Sequence, residues 1–515
     1  MSVDFSGCQL GAVPGQFRPV SGTWTIRNVN RSPRNDVSSI VVESDRHVAF
    51  PGICRTHSGA LLTCYREAYT HASGNPDDGR IMVVRSVDDG KTWSDPELAY
   101  DDPTMDDRNA AVSCMSDGTI ALIWDKYLHG KHHWAWISVS ADEGRPWSEP
   151  RKMTAQENVH TRSRGLDLGD GTWLLPWADA EHGENTATYV SIYDPSSGAI
   201  NEVQVTPTGR REMADEIAVT RAADGTLVAL IRSPSEPTLW QVSSADLGRT
   251  WTTPVSSGIP SQFTPCDLLT LRDGRIVCSF SFRERRNERV VVSRDHGASW
   301  DIESSVDVFA GTESVGGDRS YPASVQLDDN AIGTVLYETQ AAPVGGRIYF
   351  VRTPIDALSP PTVPALYCDA CDLDRAAVLW PEDMQTPVSV SYRFTGLFGA
   401  APHRIGLVMD DDGVGCLTAF EFQMGTPPDV KAWPTNQVRL VRYGRDETQV
   451  IAESQAAGGW YNDGNDHSIS ATREGNRWQF ALDGTAQLTC EEPYWRPRGI
   501  VATRAAVAVY GIATQ

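Results

Sequence analysis

Apolar and polar residues alternate along most of this chain in short runs that open at glycine-containing turns. GRIMVVRS from Gly79, GTIALIWDKY from Gly118, GTLVALIRS from Gly225 and GRIVCSFSF from Gly274 are four of them. A period of two places successive side chains on opposite faces of a sheet, so each run reads as a half-buried β-strand. The last third alternates in the same way, in VSVSYRFTGLF, HRIGLVMDD, AFEFQMG, NQVRLVRYG and AAVAVYGI, with no helical period. The pattern predicts an all-β protein.

Between these strands one motif returns. SVDDGKTW begins at Ser86, SADEGRPW at Ser140, SADLGRTW at Ser244 and SRDHGASW at Ser293. The starts are 54, 104 and 49 residues apart, and a worn copy in SIYDPSSGAI keeps Ser191, Asp194 and Gly198 in the long gap. A period of about 50 residues marks repeated supersecondary units, and four short strands fill one period as in a propeller blade. Glycine supplies the positive φ of a tight turn, and the aspartate can accept backbone N–H groups across it. The tryptophan covers the turn with a large apolar face. A catalytic group is not needed identically in four places, so the repeat is scaffold.

These motifs resemble the Asp-boxes of the sialidase superfamily over roughly residues 40 to 355. The resemblance implies a six-bladed β-propeller with an active site at one end of its axis, away from the boxes. After the boxes stop, the proline-rich stretch 354–364 reads as a boundary. The domains expected are a catalytic propeller over 1–355, a linker over 356–364 and a lectin-like accessory β-sandwich over 365–515. DHSISATREGNRWQFALDG resembles paired strands of concanavalin-like jelly rolls.

The resemblance also implies site residues. ADEIAVTRAADGTLVALIRS offers Glu216 and Arg232 at the superfamily's sixteen-residue spacing, and DRSYPASVQLDDNAIGTVLYE offers Tyr321 as nucleophile with Tyr337–Glu338 at the strand's partner. FRERRNERVVVSRDHG offers Arg286 or Arg285 as a substrate-binding arginine, with Arg283 behind them. The general acid is expected in the loop before the first box, at Asp77 or Asp78, with His71 a further candidate there; Arg66 would pair with the acid or line the pocket. One mark is missing. Where the superfamily opens its first strand with Arg-Ile-Pro, this chain has Ala49-Phe50-Pro51, and Arg46, Arg55 and Arg108 are available as replacements.

The chemistry explains the residue types. The anomeric carbon of a sialic acid already bears a carboxylate, so a neutral phenol suits the nucleophile's task better than a second carboxylate. A phenol titrates near 10 and needs a base beside it. A tyrosine nucleophile is the known exception to the two-carboxylate rule for glycosidases. Arginine clamps a carboxylate bidentately.

Composition narrows the partners. The 515 residues carry a formal charge of −22, which argues against nucleic acid; 40% hydrophobic and 22% charged residues make an ordinary globular balance. Sixteen tryptophans suit a glycan partner. No apolar run reaches membrane-spanning length, and the N-terminus lacks a signal-peptide pattern, so a cytoplasmic location is expected, or secretion if a leader precedes this chain. The lone CDAC pair, Cys368 and Cys371, and the histidines of LHGKHHW read as structure and solvated loop, so no metal or organic cofactor is expected. The function expected is a sialidase-like retaining exo-glycosidase acting on a terminal acidic sugar. The alternatives are a propeller rhamnosidase or uronate lyase on plant or microbial polysaccharide, and a non-catalytic glycan-binding propeller.

Overall fold

A computed structural model describes the chain from Ser2 to Thr514 apart from short segments. Those left out are chiefly 6–8, 13–16, 31–37, 72–77, 181–185, 283–286, 311–317, 359–361, 370–374, 381–387, 397–402, 412–415, 425–435 and 457–466. The chain forms two units, one of residues 35–359 and the other of 1–34 with 360–515.

The larger unit is a six-bladed β-propeller. Blade 1 runs His47–Arg55, Leu61–Ala68, Gly79–Ser86 and Glu97–Tyr100 as an antiparallel meander. Blade 2 spans Asp106–Lys152, blade 3 Val159–Gln204, blade 4 Ile217–Ser256 and blade 5 Cys266–Ala310 in the same order. Blade 6 takes three strands from Arg319–Gln326, Ala331–Ala341 and Val344–Pro354, and its fourth, Ser39–Ser44, from the beginning of the propeller. That exchange closes the ring and leaves no free sheet edge at the seam.

Strict alternation makes each strand serve two interfaces. Leu61 faces blade 6, in a core with Val325, Val335 and Phe350, whereas its neighbour Leu62 faces blade 2, in a core with Ile120 and Trp124. Four further apolar clusters join blades 2 to 3, 3 to 4, 4 to 5 and 5 to 6. A fully buried aliphatic or aromatic side chain contributes about 1.5–3 kcal/mol, so six such clusters are the main cohesive force of the ring.

The repeated motif occupies the turn between the third and fourth strands of a blade. In the first copy Ser86 Oγ donates to Asp88 and accepts from the Gly90 N–H at 2.8 Å, and Asp88 accepts from the Thr92 N–H and hydroxyl at 2.9 and 2.6 Å. Gly90 has φ +81°, and a Cβ there would fall 2.1 Å from the Phe350 ring, so the position excludes any larger residue. Trp93 sets its ring against Phe350 and donates its indole N–H to Ser39, which ties the turn to the ring's closing strand. The worn copy lies at the same place in blade 3, where Asp194 accepts from Ser196 and Ser197. Among the described residues blade 6 has no such turn, because its fourth strand comes from elsewhere in the chain.

The smaller unit is a β-sandwich. One sheet contains Trp24–Asn30, Thr362–Asp369, Ala505–Thr514, Val388–Gly396 and the hairpin His467–Glu474 with Arg477–Leu482; the other contains Ala376–Leu379, Gly499–Thr503, His403–Asp411, Leu417–Met424 and Asn436–Tyr443. Trp24, Tyr392 and Trp478 from the first sheet and Leu407, Phe420 and Leu440 from the second share one core.

Two boundaries differ from the sequence reading. Residues 1–34, expected in the propeller, supply Ser2–Asp4, Arg18–Ser21 and Trp24–Asn30 to the sandwich, where Trp24 is buried. Strand pairing between Trp24–Asn30 and Thr362–Asp369 joins segments more than 300 residues apart, which local pattern does not reveal. The expected linker 356–364 is partly ordered secondary structure: Ile355–Leu358 is a 3-10 turn and Thr362 already opens a strand.

Candidate active site

The inner strand of each blade starts at one mouth of the propeller, opposite the Asp-box turns. Three of these starts carry a residue with positive φ where the register slips: Phe50 at 57°, Asn109 at 52° and Tyr321 at 59°. The slips lie between Ala49 and Gly52, between Ile123 and Asp125 on the strand opposite Asn109, and between Ser320 and Ala323. A bulge re-aims a side chain, and the left-handed conformation at an aromatic residue is strain that the surrounding structure must hold. Here the bulges bring the Phe50 and Tyr321 rings to a centroid separation of 5.0 Å. Arg162, from blade 3, donates to the Tyr321 carbonyl at 2.8 Å, and its guanidinium lies 5.0 Å from the Tyr321 ring centre.

Tyr321, Glu216 and Arg232 are brought together. The Tyr321 hydroxyl is 3.4 Å from Glu216 Oε2, long for a hydrogen bond yet within reach of closing on a bound substrate. Arg232 Nη1 donates to the same Glu216 oxygen at 2.6 Å and lies 3.3 Å from the Tyr321 hydroxyl. All three come from different turns of the chain: Glu216 precedes the inner strand of blade 4, Arg232 follows the second, and Tyr321 lies on blade 6.

Behind this triangle lies a row of groups that sequence reasoning missed. Asp215 Oδ2 is 3.5 Å from Arg232 Nε, and Asp215 Oδ1 is 3.3 Å from His160 Nε2. Burial works against the Asp215 charge, but the Arg232 guanidinium and His160 outweigh it and hold its carboxyl well below the usual range. His160 is likewise buried, which disfavours its cation, yet Asp215 raises its pKa above the ordinary 6.5. The His132 ring stands edge-on to His160 at 5.4 Å and contacts Asp125 at 2.7 Å; burial, the largest influence, lowers its pKa. The solvated loop expected for LHGKHHW is therefore limited to its hairpin tip, since His132 and His133 lie on the strand Lys131–Ser140 and His132 turns inward. The adjacent Asp-Glu of ADE was the available signal for Asp215; His160 had none.

The loop before the first box divides its candidates. Asp78 is turned inward: it accepts the Tyr69 N–H at 2.8 Å and the Thr70 hydroxyl at 3.3 Å, and Arg66 lies 3.9 Å away. Its side chain is 2% exposed, which fits a loop anchor and not a group that meets substrate. Arg66 is fully buried and engaged bidentately by Asp106 at 2.8 Å on both nitrogens, so it organises the wall without facing the mouth. Asp77 lies outside the described residues. His71 is 51% exposed, with Nδ1 3.3 Å from Asp318 Oδ2, and its ring stands edge-on to Phe50 at 5.7 Å. Burial and the Arg66 charge push its neighbour His47 down to about 3, so that ring is neutral.

Among the described residues no arginine takes the position of the missing one. Ala49 is buried and Phe50 fills the site with an aromatic ring. Arg55 points to the far end, bonded to Asp328, and Arg46 lies over the exposed Tyr69 ring. Arg108, on the inner strand of blade 2, places its guanidinium 6.0 Å from the Phe50 ring centre and donates to the His71 carbonyl at 2.6 Å. Arg285 and Arg286, with Arg283, lie outside the described residues. Glu338 follows Tyr337 on the second strand of blade 6, with Tyr349 donating to it at 3.3 Å and Arg319 3.7 Å away. Below the mouth, the inner strands border a small space lined by Arg162, Arg164 and Asp267.

The BNR repeat-like domain family matches residues 101–335. A protein described as a sialidase from Bacteroides fragilis is 23% identical over 345 residues, covering 58% of this chain and 61% of the relative, so the match spans less than two thirds of that protein. Among solved structures, a protein of unknown function from Dyadobacter fermentans is similar at a TM-score of 0.53 and 20% identity, over 66% of this chain and all of that one. The intramolecular trans-sialidase from Ruminococcus gnavus, solved with oseltamivir carboxylate, is similar at 0.50 and 13%, over 61% and 95%. With its Asp-box turns and closed ring of six blades, the chain has the propeller architecture of the sialidase superfamily.

Proposed function

We propose that this chain is a retaining exo-glycosidase of sialidase type that releases a terminal acidic sugar from a glycan. The observation that carries the reading is the triangle of Tyr321, Glu216 and Arg232, with every side between 2.6 and 3.4 Å. In the first half-reaction the Tyr321 oxygen attacks the anomeric carbon as its proton passes to Glu216, and the bond to the leaving oxygen breaks as that oxygen takes a proton from a general acid at the mouth. Arg232 stabilises the negative charge that develops on the phenol oxygen. Water then displaces the tyrosine from the sugar, giving its proton to the same acid, and the proton on Glu216 returns to the Tyr321 oxygen.

A fifth of the Arg232 side chain remains exposed, which suits contact with a substrate carboxylate, and Arg108 stands behind Phe50 as a second cation. Similarity to proteins described as sialidase and trans-sialidase supports an acidic sugar as the substrate class. The test is turnover of 4-nitrophenyl sialoside by wild type and by Tyr321→Phe and Glu216→Gln. Each substitution is expected to lower kcat/KM by about a thousandfold, in line with positioned nucleophiles and bases. Undiminished turnover by Tyr321→Phe would remove the mechanism.

Ala49 at the place of the superfamily's first arginine, with Phe50 packed beside it, favours a second reading, a propeller enzyme acting on a plant or microbial polysaccharide as a rhamnosidase or uronate lyase. A lyase leaves a double bond that absorbs in the ultraviolet; a hydrolase product does not.

A further inference from the structure

From the pairing at the rim of the mouth we infer that His71, held by Asp318, donates the proton to the leaving-group oxygen. This rests on the glycosidase reading above and deepens it by assigning the acid to an imidazole.

Among the described residues the carboxylates around the mouth are already engaged. Asp78 is bonded to the Tyr69 N–H and Thr70, Asp106 to Arg66, and Asp125 to Asn109 and His132. Asp215 and Glu216 share Arg232. His71 differs from all of them. Half of its side chain is exposed, and its ring and the Tyr321 ring pack on the same Phe50 ring, at 5.7 and 5.0 Å. Nucleophile and imidazole therefore flank one aromatic residue at the mouth.

Asp318 supplies the orientation. Its Oδ2 is 3.3 Å from His71 Nδ1 and also accepts the Tyr337 hydroxyl at 2.7 Å, so the carboxylate is itself held in place. A carboxylate facing Nδ1 favours a proton on that nitrogen and turns Nε2 towards the substrate, as in histidine–carboxylate pairs that transfer protons. Arg108 steadies the loop from behind by its bond to the His71 carbonyl. The neighbouring His47 is buried and neutral, so it cannot take this part.

The step balances. As the Tyr321 oxygen bonds to the anomeric carbon and the glycosidic C–O bond breaks, the Nε2 proton of the His71 imidazolium passes to the departing oxygen, which leaves as a neutral alcohol. In the second half the imidazole takes a proton from the attacking water and the imidazolium is restored.

The test varies the leaving group. Full-length wild type, His71→Ala, His71→Gln, Asp318→Asn and Asp77→Asn are compared on a 4-nitrophenyl sialoside, whose leaving group needs little protonation, and on a methyl sialoside, whose leaving group needs it fully. The expected result is that both His71 variants lose about a hundredfold more kcat/KM on the methyl substrate than on the nitrophenyl one, within the range of general acid catalysis. Asp318→Asn should show the same imbalance more weakly. Equal losses on both substrates, no loss, or an imbalance produced by Asp77→Asn in place of the His71 variants would each overturn the assignment. Failure of the broader reading has a separate mark, since Tyr321→Phe would then keep turnover on both substrates.

Discussion

Arg232 and Tyr321 meet at 3.3 Å, guanidinium nitrogen to phenol oxygen, through the same nitrogen that donates to Glu216 at 2.6 Å. One cation thus touches both the phenol oxygen and the carboxylate beside it, the nucleophile and base of the proposed mechanism. Replacing Arg232 with Gln removes charge stabilisation at the reacting oxygen, so kcat and kcat/KM should fall together by about 10²–10³. Steady-state kinetics on the nitrophenyl sialoside checks this; a change confined to KM would contradict it.

Asp215 lies between Arg232 and His160 at the buried side of the site. Removing one member of a buried ionic group leaves its partners uncompensated, at a cost of about 3–5 kcal/mol. Asp215→Asn is expected to lower stability by that order, measured by denaturant unfolding.

The same row sets a pH dependence with two limbs. Asp215 is depressed in the folded state, so its contribution is present above the ordinary carboxylate value and is lost as pH falls. His160 is raised, so its contribution is full below 6.5 and is lost as pH rises through its folded value. The melting temperature should therefore decline on the alkaline side of neutrality, and His160→Asn should flatten that limb. An unchanged limb in the variant would show that His160 is not its source.

The Asp-box aspartates give an acid limb of their own. The Thr92 hydroxyl and then its N–H hold Asp88 at about 2, and the Thr250 hydroxyl and N–H do the same for Asp246. Their contribution is present above 3.8 and is lost as pH falls towards about 2. Asp88→Asn with Asp246→Asn should weaken the acid dependence of tryptophan fluorescence in that window. A titration identical to wild type would contradict the role given to these turns.

Arg108 offers a test of the substrate's charge. If an anion occupies the mouth near Phe50, Arg108→Gln removes a charged donor worth about 1.5–3 kcal/mol, and KM for the sialoside should rise about ten- to a hundredfold with kcat nearly kept. Equal effects on a neutral aryl glycoside would mean that the residue only supports the loop.

The propeller was legible because its signal is local. Strand alternation has a period of two, and the Ser-x-Asp-x-Gly turn closes its hydrogen bonds within five residues, so copies could be recognised from spacing alone, including the worn one at Ser191–Gly198. The pair Glu216 and Arg232 was legible for the same reason, since one hairpin joins them. Asp78 and Asp77 were indistinguishable in sequence because a loop's inward and outward sides follow no period, and only the bonds from Tyr69 and Thr70 place Asp78 within. His160 and Asp318 carried no motif. Their meaning comes from Asp215 and His71, which lie 55 and 247 residues away in the chain.

By itself the sequence determined the strands, the repeated turns and the order of the candidate residues, because each depends on neighbours close along the backbone. The tertiary structure decided that Trp24 belongs to the sandwich, that the Phe50 ring packs on Tyr321, and that Tyr321 turns towards Glu216. Those outcomes depend on ring closure and on bulges that aim side chains across an axis, where distance along the chain carries no information about distance in space.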